Sequence, residues 1–226
     1  LVQKGKRWFF HLVLDLPDVL PIETGKGMGV DLGENVLAAT STGKLFGGGA
    51  LRAKRDQFLA LRQRLQSNGS QSAKQRLRKI SGREKRNVKH VNHCIAKKIV
   101  QEAKETGCST IVLEDLKNIR ERIKAGKKLR SRLHRWSFDQ LRQFVEYKAA
   151  AAGIQIRYIC PAYTSQTCSS CLSSGTRLKH RFSCSNCGSL KHSDLNASQN
   201  ILRLGLSVDR PTGDVNRRHV AAFSGR

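Results

Sequence analysis

Four cysteines are spaced as two C-x-x-C pairs, Cys168/Cys171 and Cys184/Cys187, with twelve residues between the pairs. A C-x-x-C turn points two thiolates at one place, and two such turns supply the four soft ligands of a closed tetrahedral zinc site. Gly188 follows the second pair, where a knuckle needs a residue that tolerates positive φ. Two disulfides would use the same sulfurs, but the spacing is that of a zinc ribbon and nothing else in the chain reads as secreted. His180 and His192 flank the cysteines, so a Cys₃His set is the other option. Four well-spaced thiolates leave it unneeded, and both histidines stay outside the expected site. The expected zinc is structural, because thiolates fill all four positions.

A second set of residues could do chemistry. Asp31 and Glu114 each close a run that reads as a strand, and Asp194 opens a run that reads as a helix. Each lies in basic or apolar surroundings. Alone, any of them is a surface acid or a cap, and Asp194 could simply cap its helix. Together, three carboxylates offer hard oxygen ligands for two Mg²⁺ ions. Two such ions about 4 Å apart serve in-line phosphodiester hydrolysis, with water activated on one side and the leaving oxygen stabilised on the other. Glu114 is followed by Asp115, and either could be the ligand.

The elements that must position these groups are legible in outline. Arg7 to Leu14 reads as a strand, and three short strands follow at Gly27–Leu32, Val36–Thr40 and Lys44–Phe46. From Leu51 the period turns helical, with a loop at Ser67–Ser72. A basic helix over Ala73–Ile80 is then expected, interrupted at Ser81-Gly82, before a third helix with Val88, Val91, Ile95, Ile99 and Ala103 on one face. Cys108–Glu114 suits a buried strand. Lys117–Arg135 reads as a mobile basic loop, and Trp136 as a core or base-stacking residue. Ser137 to Gln140 has capping-box spacing and starts a helix to Ala152, ended by Gly153. A strand over Ile154–Ile159 and a helix from Ser193 to Leu204 close the order, with Asp209–Arg226 frayed.

Composition narrows the partners. The chain of 226 residues has a net charge of +25 and a pI near 10.5. Such self-repulsion points to a polyanion, with nucleic acid first. Between Arg52 and Lys89 there are thirteen Lys/Arg and two acids, more one-sided than a solvated helix face. In the ribbon, Arg177, Lys179, His180, Arg181 and Lys191 would hold a strand near Asp194 without reading its sequence. No run of about 18 apolar residues suits a membrane span. No signal peptide is evident, and the odd thiol remainder, Cys94, Cys108 and Cys160, fits a reducing compartment. The chain opens on Leu1 and its only methionine is Met28, so a piece of a longer product is expected.

The order of strands and helices, with acids on two strands and a late helix, matches a ribonuclease H-like architecture. G-V-D-L-G-E-N at 29–35, I-V-L-E-D-L at 111–116 and D-L-N-A-S-Q-N-I at 194–201 resemble the three split RuvC nuclease motifs of the TnpB/OrfB family of transposon-encoded proteins, relatives of the type V CRISPR effectors. Residues 81–100, 136–149 and 163–168 carry further similarity, and the likeness extends from about Trp8 to Leu204. It implies an α/β fold with a mixed RuvC sheet flanked by helices. Residues 26–162 and 193–206 would form the nuclease domain, with a helical insertion at about 51–106. A zinc ribbon would occupy 163–192, a wedge-like remnant 1–25, and a flexible tail 207–226. It implies Asp31, Glu114 and Asp194 as the Mg²⁺-binding catalytic triad, favours Glu114 over Asp115, and implies Cys168, Cys171, Cys184 and Cys187 as zinc ligands. It further implies cleavage of target DNA directed by a guide RNA from the transposon end, in a prokaryotic cytoplasm in association with the nucleoid. In such systems base pairing reads most of the target, and protein reads a short flanking motif.

Two other readings compete. One is a nuclease-silent nucleic-acid-binding protein or regulator derived from a transposon gene, which intact acids count against. The other is a strand-transferring transposase, but none of Tyr147, Tyr158 and Tyr163 sits beside a two-histidine metal motif.

Overall fold

The computed structural model describes residues 1–4, 7–13, 19–22, 24–116 and 137–207. The expected basic loop at Lys117–Arg135, Trp136 and the tail from 208 onward lie outside the described residues.

A five-stranded mixed sheet forms the centre. Its strands are β3 (Gly27–Asp31), β4 (Val36–Thr40), β5 (Leu45–Gly47), β6 (Thr110–Glu114) and β7 (Gln155–Ile159), in the order β5-β4-β3-β6-β7. The first three form an antiparallel meander, while β6 and β7 add in parallel beside β3. Helix α1 (Gly49–Asn68) and helix α2 (Gln71–Glu105) fill the crossover from β5 to β6, and α3 (Phe138–Ala150) leads into β7. Helix α4 (Ser193–Ser207) comes last.

Alternation along the strands assigns two faces. Met28 and Val30 of β3 and Ile111 and Leu113 of β6 face one side, in a core with Ile95, Ile99 and Ala103 of α2 and Leu141 and Val145 of α3. Gly29 and Val112 face the other side, where Val112 meets Ile159 and Ile201 under α4. β3 and β6 pair as Val30↔Leu113, so one residue further on Asp31 and Glu114 stand side by side. By the same alternation both acids face α4.

Helix α4 runs back along β3. Four helical residues rise about 6.0 Å and two strand residues about 6.6–6.8 Å. The row Asp194, Ser198, Leu202, Leu206 can therefore track the row Asp31, Gly29, Gly27. A Cβ at Gly29 would overlap the Ser198 carbonyl oxygen and stand 2.6 Å from the Leu202 amide nitrogen, and one at Gly27 would meet Leu202 and Leu206. Only bare strand backbone admits the helix at this distance.

Three local expectations need correction. α2 is one helix of 35 residues, not two interrupted at Ser81-Gly82. A central glycine costs about 1 kcal/mol, and α2 keeps its course by packing on α1 and α3. The strand expected over Arg7–Leu14 is only β2 (Arg7–Phe9), paired with β1 (Val2–Lys4) in a separate two-stranded sheet. Trp8 and Phe9 are exposed there, so no core extends the strand. Ser137 makes no side-chain cap at α3. Its hydroxyl and Gln140 Oε1 both accept from Asn92 Nδ2 of α2, at 3.0 and 2.9 Å, which diverts the capping box into a clamp between helices.

The Gly29 contact leads to a stability test. Gly29→Ala forces α4 off the sheet and lowers unfolding free energy by about 1–3 kcal/mol, the usual range for overpacking. Urea denaturation measures it, and a loss below about 0.5 kcal/mol would show that α4 does not need the bare strand.

Candidate functional site

Asp31, Glu114 and Asp194 are brought to one mouth where β3 and β6 end and α4 begins. Asp194 is buried at the first turn of α4, and its Oδ1 accepts from Arg177 Nη2 at 2.7 Å. Glu114 Oε1 accepts from Thr164 Oγ1 at 2.6 Å. Burial, then the charges of Glu114 and Asp194, push the Asp31 carboxyl up to about 8, against the pull of Arg177. Burial also raises Glu114, against the hydrogen bond from Thr164 and the charge of Arg177. Glu114 and Asp194 are the acids whose charges raise Asp31. Carboxylates that resist joint ionisation are electrostatically prepared for a cation. Their all-oxygen donor set fits a hard divalent ion such as Mg²⁺.

The ribbon packs against this mouth. Strands β8 (Thr176–Leu178), β9 (Arg181–Ser183) and β10 (Leu190–His192) form an antiparallel sheet in the order β10-β9-β8. All four ribbon cysteines are free thiols, and their sulfurs lie within 4.8 Å of one another. Cys168 and Cys187 are 3.7 Å apart and Cys171 and Cys184 are 3.5 Å apart. Thiolates at about 2.3 Å from a tetrahedral zinc sit about 3.8 Å apart, so the cluster fits zinc. Hydrogen bonds from the Ser173 backbone, then from Asn186, lower the Cys171 thiol. Cys187, despite a hydrogen bond from the Ser189 backbone, is raised by its contact with Cys171, so the charge the cluster carries is shared among the sulfurs.

The two knuckles share one backbone pattern. Cys168 N donates to Ser173 O and Leu172 N to Cys168 O, while Cys184 N donates to Ser189 O and Gly188 N to Cys184 O. Gly188 has φ +70°, as its position after the second pair implies, but the matching residue of the first knuckle is Leu172, at φ 68°. Leu172 is exposed and carries backbone strain with no packing in return.

Residues outside the expected set tie ribbon to helix. Asn196 Nδ2 donates to Thr167 O at 2.7 Å, and its Oδ1 accepts from Ser169 N at 2.9 Å. Asn200 Nδ2 donates to Thr164 O and Thr167 O. The same loop thus holds Cys168 in the ribbon and turns the Thr164 hydroxyl onto Glu114. Two asparagines four apart in an apolar helix were the available signal, because asparagine is a poor interior helix former unless its amide is engaged.

The four expected nucleic-acid contacts fall in different places. Arg177 reaches Asp194, and Lys179 and Arg181 are exposed at the β8–β9 turn. Lys191 is bound between Ser169 Oγ at 2.7 Å and Gln199 Oε1 at 2.9 Å, so it joins ribbon to α4. No helix among the described residues is long and apolar enough to cross a membrane.

The mixed α/β fold is similar to that of the Cas12f structures. The cryo-EM structure of a Cas12f1–sgRNA–target DNA complex superposes with a TM-score of 0.62 at 22% identity, covering 84% of this chain and 51% of that one. That of a CRISPR-Cas12f ternary complex gives 0.64 at 22% identity, covering 83% and 40%. The family model OrfB_IS605, described as "Probable transposase", matches residues 11–120, and the Cas12f1-like TNB domain matches 138–201. A TnpB-like protein of Methanocaldococcus jannaschii is 36% identical over 166 residues, covering 70% of this chain and 58% of its own length. The CRISPR-associated endodeoxyribonuclease Cas12f1 of Sulfoacidibacillus thermotolerans is 33% identical over 218 residues, covering 88% of this chain and 50% of its own. The chain belongs to the TnpB/OrfB family. It spans about half the length of these two curated relatives.

Two outcomes follow from the site. Leu172→Gly relieves the left-handed strain and raises ribbon stability by about 1 kcal/mol. Zinc competition against a chromophoric chelator reads it, and weaker zinc retention would contradict the strain. The second concerns pH without Mg²⁺. Asp31 holds its proton more tightly folded (about 8) than unfolded (3.8). The stability linked to that proton is full below the unfolded value and is lost as pH rises through about 8. In divalent-free buffer, Asp31→Asn therefore raises the Tm at pH 9 more than at pH 5. Parallel Tm curves for parent and variant would refute it.

Proposed function

We propose that this chain is the nuclease core of an RNA-guided DNA endonuclease. The observation that carries this reading is the meeting of Asp31, Glu114 and Asp194, from two strands and a helix, against a Cys₄ ribbon. On this reading the sheet is a ribonuclease H-like RuvC domain over 26–162 and 193–206, with the ribbon at 163–192.

The three acids would hold Mg²⁺, and the four cysteines structural zinc. When bound, two Mg²⁺ ions supply Lewis acidity on both sides of the scissile phosphate and a nucleophilic water at neutral pH. Asp31 and Glu114 set the sheet side of the site, and Asp194 sets the helix side. Thr164 orients Glu114 by its hydrogen bond. Arg177, already at the mouth, offers a guanidinium to phosphate oxygens. Lys179 and Arg181 extend that positive edge along the strand to be cut. The first turns of α2 expose Lys74, Arg76, Arg78, Lys79, Arg83 and Lys85, a basic surface that suits the phosphates of a guide RNA or its heteroduplex with target DNA. The relatives named as endodeoxyribonucleases, and the sgRNA and target DNA in the superposed complex, support these partners. The site of action on this reading is the prokaryotic cytoplasm, beside the nucleoid.

The second reading is a nuclease-silent nucleic-acid-binding protein, which the net charge of +25 would also serve. Co-expression with RNA transcribed from the end of its own locus, followed by target DNA and Mg²⁺, separates the two. Cleavage is expected, and Asp31→Ala, Glu114→Ala and Asp194→Ala each slow it by roughly a thousandfold, about 4 kcal/mol of barrier. Salt-sensitive binding with no cutting in Mg²⁺ or Mn²⁺ would establish the silent reading instead.

A further inference from the structure

His180 and His192 stand beside Asp194 and belong to neither set of ligands described above. His180 lies at the turn between β8 and β9, and His192 ends β10. The pairing of β9 with β10 holds the two together, and Ser193 N donates to His180 O at 2.8 Å. Their rings stack with centroids 5.5 Å apart and planes at 25°. One ring nitrogen of each histidine and a carboxylate oxygen of Asp194 lie within 4.8 Å of one another. The Asp194 carboxylate divides its work. Oδ1 takes Arg177 at 2.7 Å, and Oδ2 lies 3.9 Å from His192 Nδ1. That Nδ1 accepts a long bond of 3.3 Å from the Asp194 amide.

Two imidazoles and one carboxylate form a mixed nitrogen–oxygen set. Mg²⁺ prefers six oxygens, whereas Zn²⁺, Co²⁺ and Ni²⁺ take imidazole readily. Ligands about 2.1 Å from a tetrahedral ion lie about 3.4 Å apart, leaving a fourth position for water. The exposed His180 ring can swing inward to close that gap.

We propose that His180, His192 and Asp194 form a separate site for a borderline divalent ion such as Zn²⁺ or Co²⁺, and that an ion there takes Asp194 from the acid cluster. The site is inhibitory: it puts Asp194 in contest between two ions of different chemistry. Only the inhibition rests on the nuclease reading, because binding of the ion does not depend on cleavage.

Cobalt serves as the probe. The chain with its ribbon loaded with zinc is titrated with Co²⁺ and followed by visible absorption. The expected result is a set of d–d bands without thiolate-to-cobalt charge transfer. The paired variant His180→Ala/His192→Ala, and separately Asp194→Asn, weaken cobalt binding by about tenfold or more, since even outer contacts to a metal ligand are worth about 10–100-fold. Asp31→Asn leaves cobalt binding unchanged. Zinc content and far-UV circular dichroism show whether the ribbon is intact, and His180→Gln/His192→Gln repeats the test should the alanine pair unfold. Unchanged cobalt affinity in a folded histidine variant, charge-transfer bands, or loss of binding in Asp31→Asn would each overturn the proposal. In cleavage assays with Mg²⁺, excess Zn²⁺ slows the parent, and the histidine variant escapes. Equal zinc sensitivity of the two would remove the inhibitory role, while absence of cleavage in both would fault the nuclease reading and leave the cobalt result to decide the site.

Discussion

Helix α4 rests directly on the backbone of β3, and the rest of the site depends on that contact. Strand and helix rows advance at nearly the same pitch only in steps of two and four residues. A helix laid on a strand at that spacing pairs residues down its length if the strand carries no side chains on that face. Gly27 and Gly29 supply the bare face, and Asp31 is the first residue of the row that does not. The row ends by setting Asp31 toward Asp194. Glu114 then follows from the parallel register with β6.

Placing three carboxylates together costs stability, and the surrounding groups reduce that cost unevenly. Arg177 ion-pairs with Asp194 and Thr164 donates to Glu114, while Asp31 has burial and two like charges against it. Asp31 therefore holds its proton to about 8 when no cation is bound. Positive charge reaches the mouth through Arg177, while on the helical hairpin Glu84 pairs with Arg62 at 2.5 Å.

Much of this was legible in the sequence where a residue's role depends on its near neighbours. The C-x-x-C spacing and the three acids at element ends could be read directly, and the strand positions came within a residue or two. What could not be read depends on partners far along the chain. Ser137 and Gln140 have the spacing of a capping box, but Asn92, 45 residues earlier, takes both. Ser81-Gly82 looks like a break, and tertiary packing carries α2 through it. Leu172 sits at positive φ because the first knuckle repeats the fold of the second, where glycine stands. Thr164, Asn196 and Asn200 are ordinary polar residues until α4 and the 164–169 loop meet.

The ribbon does more than gather four cysteines. Asn196 and Asn200 fix its first knuckle to α4, and Lys191 fixes its last strand to Gln199 of the same helix. Arg177 leaves the ribbon to reach Asp194, and the loop before Cys168 places Thr164 on Glu114. Two of the three acids thus take a partner from the module that carries the cysteines. An unfolded ribbon removes the guanidinium from Asp194 and the hydroxyl from Glu114 together, while leaving β3, β6 and their core in place. The cysteines act on the acids through these two contacts, at a distance from any sulfur. Cysteine cluster and acid cluster form one unit because α4 is bonded to the ribbon and carries Asp194.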